Sequence, residues 1–164
     1  LKEKYGTPYL AWWPCGSKEE KRFIENVKSV LDHKEWKEQP VQKEDGLRAL
    51  IISEQISGNA VRKCLQEEHG VGEAVVASFF GMDPELMQEC DQSLDAERDL
   101  VDLVEKSRPF DLVIADEEYR ALLPYEPRQY VAIPHMAVSG VLHYKEAFDL
   151  VGRHADGYWS MVLS

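Results

Sequence analysis

His135 is the residue of this chain best placed to do chemistry. It lies at the middle of the stretch Tyr130–Gly140, YVAIPHMAVSG. The apolar run Tyr130-Val131-Ala132-Ile133 reads as a buried strand. Pro134, which cannot donate to a strand ladder, marks its end. An imidazole able to bind a metal or a proton therefore follows a strand directly, with Ser139 and Gly140 shortly after. In open parallel α/β sheets, ligands bind at that edge. Two carboxylates occupy equivalent positions: Glu54 after Leu47–Ser53, and Asp116 after Phe110–Ala115. Each could hold a hydroxyl or a metal-bound water. Asp116 fits the plainer role of capping the next helix, and His135 that of a loop histidine bonded to backbone.

The cysteines carry weaker signals. Cys15 precedes a helix whose N-terminal amides would activate a thiol, but a small apolar filler explains it as well. Cys64 falls on an apolar helix face and reads as core. Cys90 points to nothing specific. His143 and His154 read as surface residues, and the Trp12-Trp13 pair as core and domain interface. No GxGxxG, GxxxxGK[ST], HExxH or GxSxG is present, so standard dinucleotide, nucleoside triphosphate, zinc-protease and serine-hydrolase sites have no support.

The elements that must position these groups alternate. Leu1–Tyr5 reads as a helix tail stopped by Gly6, and Pro8–Trp13 as a strand. Ser17-Lys18-Glu19-Glu20 has capping-box form. The helix it opens, to about Asp32, puts Phe23, Ile24, Val27, Val30 and Leu31 on one face. His33–Gly46 reads as a charged surface connection. Leu47–Ser53 is the best central-strand candidate, followed by a helix over Ser57–Glu68 with Val61, Cys64 and Leu65 inward. Ala74–Phe80 is a strand, Asp83–Cys90 a short helix with proline at its first position, and Ala96–Lys106 a helix. Then come strand Phe110–Ala115, a short helix Glu117–Leu123, the strand into His135, a helix over Tyr144–His154 and an apolar tail, Tyr158–Leu163.

Unalternating apolar strands separated by helices predict an α/β, three-layer Rossmann-like domain. The expected sheet is mostly parallel, of about four to five strands, with helices on both faces. Right-handed crossovers then bring Ser53-Glu54, Phe80-Gly81, Asp116 and Pro134-His135 to one edge.

A net charge of −11 would repel a phosphate backbone, which argues against nucleic acid as a partner. No apolar run approaches the ~20 residues of a membrane span, and no signal-peptide pattern is present. Three cysteines without a CxxC pair fit a reducing, cytoplasmic compartment. The opening at Leu1, mid-helix in character, leads us to expect a piece of a longer protein.

Several segments, in order along nearly the whole chain, resemble the component 1 superfamily of nitrogenase, the molybdenum–iron protein α and β subunits and their relatives. Lys4-Tyr5-Gly6-Thr7-Pro8-Tyr9 is similar to the family's K-Y-G-[IT]-P-[WY] segment. Cys15-Gly16 stands where the family has an apolar residue and glycine. Ser107–Ile114 resembles its K-P-D-L-[IV] strand with Phe110 inserted. Ile133–Gly140 resembles the segment carrying the α subunit's cofactor-ligating histidine, with one residue fewer between His135 and Ser139-Gly140. The resemblance implies that residues 1–164 form one Rossmann-like domain of a three-domain subunit. The parent would be a two-component oxidoreductase fed by a separate ATP-dependent iron–sulfur reductase. Its partners would be the remaining domains of the same subunit and a homologous partner subunit. His135 would match the histidine on the metal of an iron–molybdenum-type cofactor, with Ser139 and Gly140 of the same segment beside the cofactor; Glu54 joins them as a cofactor-binding candidate by its strand-end position. The family's cluster cysteines lie upstream of Leu1, and Cys15 matches none of them. An iron–sulfur or iron–molybdenum-type cluster would therefore belong to the parent, with none held by this piece alone, and dinitrogen reduction is not implied.

Other readings remain. One is a non-catalytic scaffold for metal-cluster assembly or small-ligand binding. Another is a flavodoxin-like or periplasmic-binding-like ligand module.

Overall fold

In the computed structural model the described residues are 2–32, 46–135, 137–139 and 150–163. Their elements, in chain order, are α1 (Lys2–Tyr5), α2 (Ser17–Leu31), β1 (Leu47–Ile52), α3 (Gln55–Glu68), β2 (Val71–Ser78), β3 (Gln92–Ser93), α4 (Glu97–Lys106), β4 (Leu112–Ala115), β5 (Gln129–Ala132) and α5 (Gly152–Val162). A single 3₁₀ turn covers Pro84–Leu86, and a 3₁₀ helix of six residues covers Glu117–Leu122.

The five strands form one sheet in the order β3-β2-β1-β4-β5, and every pairing is parallel. The expected α/β three-layer Rossmann-like architecture is present. Period-2 side-chain alternation divides β1 between two cores. Ala49 and Ile51 face α3 and α5, packing with Leu65, Val76, Ile114 and Trp159. Leu50 and Ile52 face the other way, with Leu100, Val104, Phe110 and Val113. Because both faces are covered, the strand sequences show no polar alternation.

The chain order reverses between β1 and β4. One crossover series runs outward from β1 through α3, β2 and β3, the other from β4 to β5. Loops leaving β1 and β4 therefore diverge, and a crevice opens between them.

Several elements depart from expectation. Pro8–Trp13 is not a strand and is not part of the five-stranded sheet. Just beyond it, Cys15 and Gly16 bridge to Gly152. The Ser17 capping box does not form. Gly16 holds the cap position at φ 87°, and the Ser17 amide donates to the Asp156 carboxylate (3.1 Å). Ile24 and Leu31 stay exposed on α2 although Val30 is buried. Asp83 caps as expected, accepting from the Glu85 amide, but a single 3₁₀ turn replaces the short helix. The two-residue β3 had no apolar run to announce it. The last helix is Gly152–Val162, so the expected apolar tail is helical, whereas the Tyr144–His154 helix falls largely outside the described residues.

α3 is buried along most of its length, and its seat on the sheet depends on Gly58. A Cβ there would lie 2.7 Å from Val76 Cγ1. Valine is stiff about χ1 and cannot swing aside. Overpacking of this kind costs about 1–3 kcal/mol, more than the roughly 0.5–1 kcal/mol that alanine gains over glycine in a helix. Gly58→Ala is therefore expected to lower the urea midpoint; an unchanged or higher midpoint would show that α3 is not seated this closely.

Candidate functional site

Two rings meet across the carboxyl ends of β1 and β4. Phe80 follows β2 and His135 follows β5, the strands flanking the central pair. Their centroids are 4.6 Å apart and their planes 19° from parallel. Beneath lies a cavity of about 460 Å³. Its walls are mostly apolar, from Ile51, Ile52, Ile114, Ile133 and Leu150, with Trp13 at one side. The polar groups are few: Ser53, Glu54, Ser57 and His135. Sites for small organic molecules have this composition and size.

The loop carrying His135 is fixed from below by Asp116. Oδ2 of this buried carboxylate accepts from the His135 amide (2.7 Å), the Ser139 hydroxyl (2.5 Å) and the Ser139 amide (3.3 Å). Oδ1 accepts from the Glu118 amide (3.1 Å), the expected cap of the following turn. The Asp116 carbonyl accepts from the Tyr130 hydroxyl (2.6 Å). Burial alone would push the Asp116 carboxyl up. The Ser139 hydroxyl and the amides of His135, Glu118 and Ser139 outweigh that and hold it below its ordinary 3.8. A carboxylate held low stabilises the fold above its unfolded pKa, and the contribution is lost as pH falls through the lower native value. The His135 loop should accordingly stay ordered at neutral and mildly acidic pH and loosen only below about pH 4. Asp116→Asn puts an amide N–H₂ where donors converge and should cost about 1.5–3 kcal/mol. Thermal unfolding at pH 7 and pH 3 checks both, because the difference between parent and variant should shrink at the lower pH.

His135 Nδ1 accepts from the Ala137 amide (3.1 Å). A nitrogen that accepts carries no proton, so neutral His135 holds its proton on Nε2. A histidine that ligates a metal through Nε2 normally has its proton on Nδ1, donated to a neighbouring acceptor. The arrangement around His135 is the reverse. It fits a hydrogen-bond donor toward an organic ligand better than a metal ligand.

The residues singled out in the sequence are thus partly brought together. Glu54 and His135 share the cavity, with Glu54 exposed at the rim. Ser139 is 5% exposed and turned to Asp116, so it supports the loop. Gly140 and His143 lie outside the described residues. Ser57 and Trp13 were not anticipated. Ser57 Oγ sits 2.9 Å from Ser53 Oγ, and exposed Trp13 lines the cavity instead of sitting in the core. No local pattern could have placed Trp13 there, because the contact spans from the N-terminal stretch to the sheet edge. The Ser53-Glu54 turn also sets a carboxylate where dinucleotide-binding domains place a pyrophosphate, against an amide-rich helix start. Phosphate would be repelled there.

No family model, no curated protein and no solved structure matches this chain. Among the described residues no helix is long and apolar enough to cross a membrane.

Proposed function

We propose that this chain is one domain of a nitrogenase-like, component 1 type oxidoreductase and forms one wall of its substrate site. The observation that carries the reading is the placement of His135, pinned by Asp116, on the cavity at the switch point between β1 and β4. The sequence resemblance supplies the reaction class. Here the chain's own residues bind and orient. The apolar walls exclude water, Glu54 and the Ser53–Ser57 pair mark the polar rim, and His135 Nε2 offers a proton donor to an acceptor atom of the substrate. Such a donor can stabilise negative charge as electrons arrive. An iron–sulfur centre held elsewhere in the parent protein would supply those electrons. Since the tautomer does not suit ligation, we route no step through a metal on His135.

The test uses the intact parent protein. Iron and acid-labile sulfide, together with turnover that requires ATP and the iron–sulfur donor, support the oxidoreductase. Cluster transfer without donor-dependent turnover would instead establish an assembly scaffold.

A further inference from the structure

At the far end of α3 from the crevice, a second group of chemically able side chains converges. Cys64 and Glu68 are one helical turn apart on α3, and Asp156 faces them from α5. The thiol sulfur and one oxygen of each carboxylate lie within 4.8 Å of one another. Cys64 is fully buried. Glu68 Oε1 is shielded from solvent and has no hydrogen-bond partner. A second buried thiol, Cys15, adjoins Cys64.

Gly16, at φ +87°, lets the backbone pass close to all three groups. A Cβ there would lie 2.9 Å from Cys64 Sγ, 3.1 Å from Asp156 Oδ1 and 3.1 Å from Glu68 Oε1, so a side chain at this position would crowd all three. The Ser17 amide donates to both Asp156 oxygens (3.1 and 3.3 Å), orienting that carboxylate.

We infer that Cys64, Glu68 and Asp156 bind a divalent, borderline-soft cation of the Zn²⁺ class, with Cys15 or a water completing a four-coordinate site. Thiolate with carboxylate oxygens is a donor set that zinc accepts and that magnesium and calcium do not favour. Binding sends the Cys64 thiol proton to solvent as the S–metal bond forms, and nothing is oxidised or reduced. The ion ties α3 to α5 and to the Cys15–Gly16 bridge, closing the N- and C-terminal stretches over one face of the sheet. The site is separate from the crevice and does not depend on the function proposed for it.

The intact protein, stripped by a chelator under reducing conditions, is titrated with Co²⁺ and then Zn²⁺, read as difference spectra. The expected result is one equivalent of Co²⁺ with a thiolate-to-metal charge-transfer band and four-coordinate ligand-field bands, both bleached by Zn²⁺. Zn²⁺ should also raise the unfolding temperature. Cys64→Ser should remove the charge-transfer band and Cys90→Ser should leave it. Because a variant at a fully buried thiol can fail to fold, Glu68→Gln and Asp156→Asn carry the test as well. Each should weaken Zn²⁺ by at least about 10–100-fold, the loss that even an outer-sphere change produces. Absence of the charge-transfer band, or a titration unchanged in Glu68→Gln, overturns the site.

Discussion

Asp91→Ala should destabilise the chain by about 3–5 kcal/mol, the loss typical of removing one partner from a buried ion pair. The Arg62 and Asp91 side chains are 2% and 0% exposed, with Nη1 and Oδ1 2.5 Å apart. Asp91 also accepts from the Val76 amide (3.0 Å) and the Gln88 amide (2.8 Å). Arg62 Nη2 donates to Asn59 Oδ1 (2.5 Å), and Asn59 in turn donates to the Leu86 carbonyl (2.9 Å). Removing the carboxylate leaves a guanidinium without its counter-charge and two amides without acceptors. For a chain of this length the change corresponds to a fall of roughly 6–20 °C in unfolding temperature. Arg62→Met alone should also be costly. A double variant, Arg62→Met with Asp91→Ala, should be less damaging than the sum of the two singles, because neither charge is then stranded. Calorimetry on the four proteins measures this. A single-variant loss under about 1 kcal/mol would mean that the network does not hold α3, and with it the Ser53–Ser57 rim, in place.

His135→Ala in the intact protein should lower donor-dependent turnover by about 10–100-fold, the equivalent of one well-placed hydrogen bond to substrate. Iron and sulfide content should be unchanged, because the imidazole is not needed to hold a metal. The loss separates two roles that the sequence left open: a ligating histidine would take metal content down with turnover. Phe80 gives a control. Phe80→Leu keeps an apolar body but removes the face on which the imidazole rests, 4.6 Å away. It should produce a smaller loss than His135→Ala, since aromatic pairing contributes only about 0.5–1.5 kcal/mol.

The architecture was readable because a parallel sheet buried on both faces leaves continuous apolar runs, as in Leu47–Ile52 and Leu112–Ala115, and such runs have few alternative meanings. The edge that gathers Ser53-Glu54, Phe80, Asp116 and His135 followed from the parallel direction of the strands. Elements fixed by distant partners were not readable. Pro8–Trp13 has strand-like composition, but it is not paired into the sheet. Gln92–Ser93 is a strand only because β2 lies beside it. The Ser17 capping box lost to a tertiary bond, since Asp156 from α5 takes the amide. The role of Asp116 was half legible. Its cap of the Glu117–Leu122 turn is local, whereas its hold on His135 and Ser139 spans 19 and 23 residues. The charged belt on α3, with Arg62 and Lys63 buried, was hidden for a similar reason: its partners, Asp91 and Glu19, come from loop and helix far along the chain.

Nuclear magnetic resonance of ¹⁵N-histidine-labelled intact protein at neutral pH reads the state of His135 directly. Its ring nitrogens should show a protonated Nε2 and an unprotonated Nδ1, and occupancy of the crevice should shift the Nε2 signal most. A proton on Nδ1 with a bare Nε2, or ring signals unmoved when substrate is bound, would contradict a donor presented to that cavity.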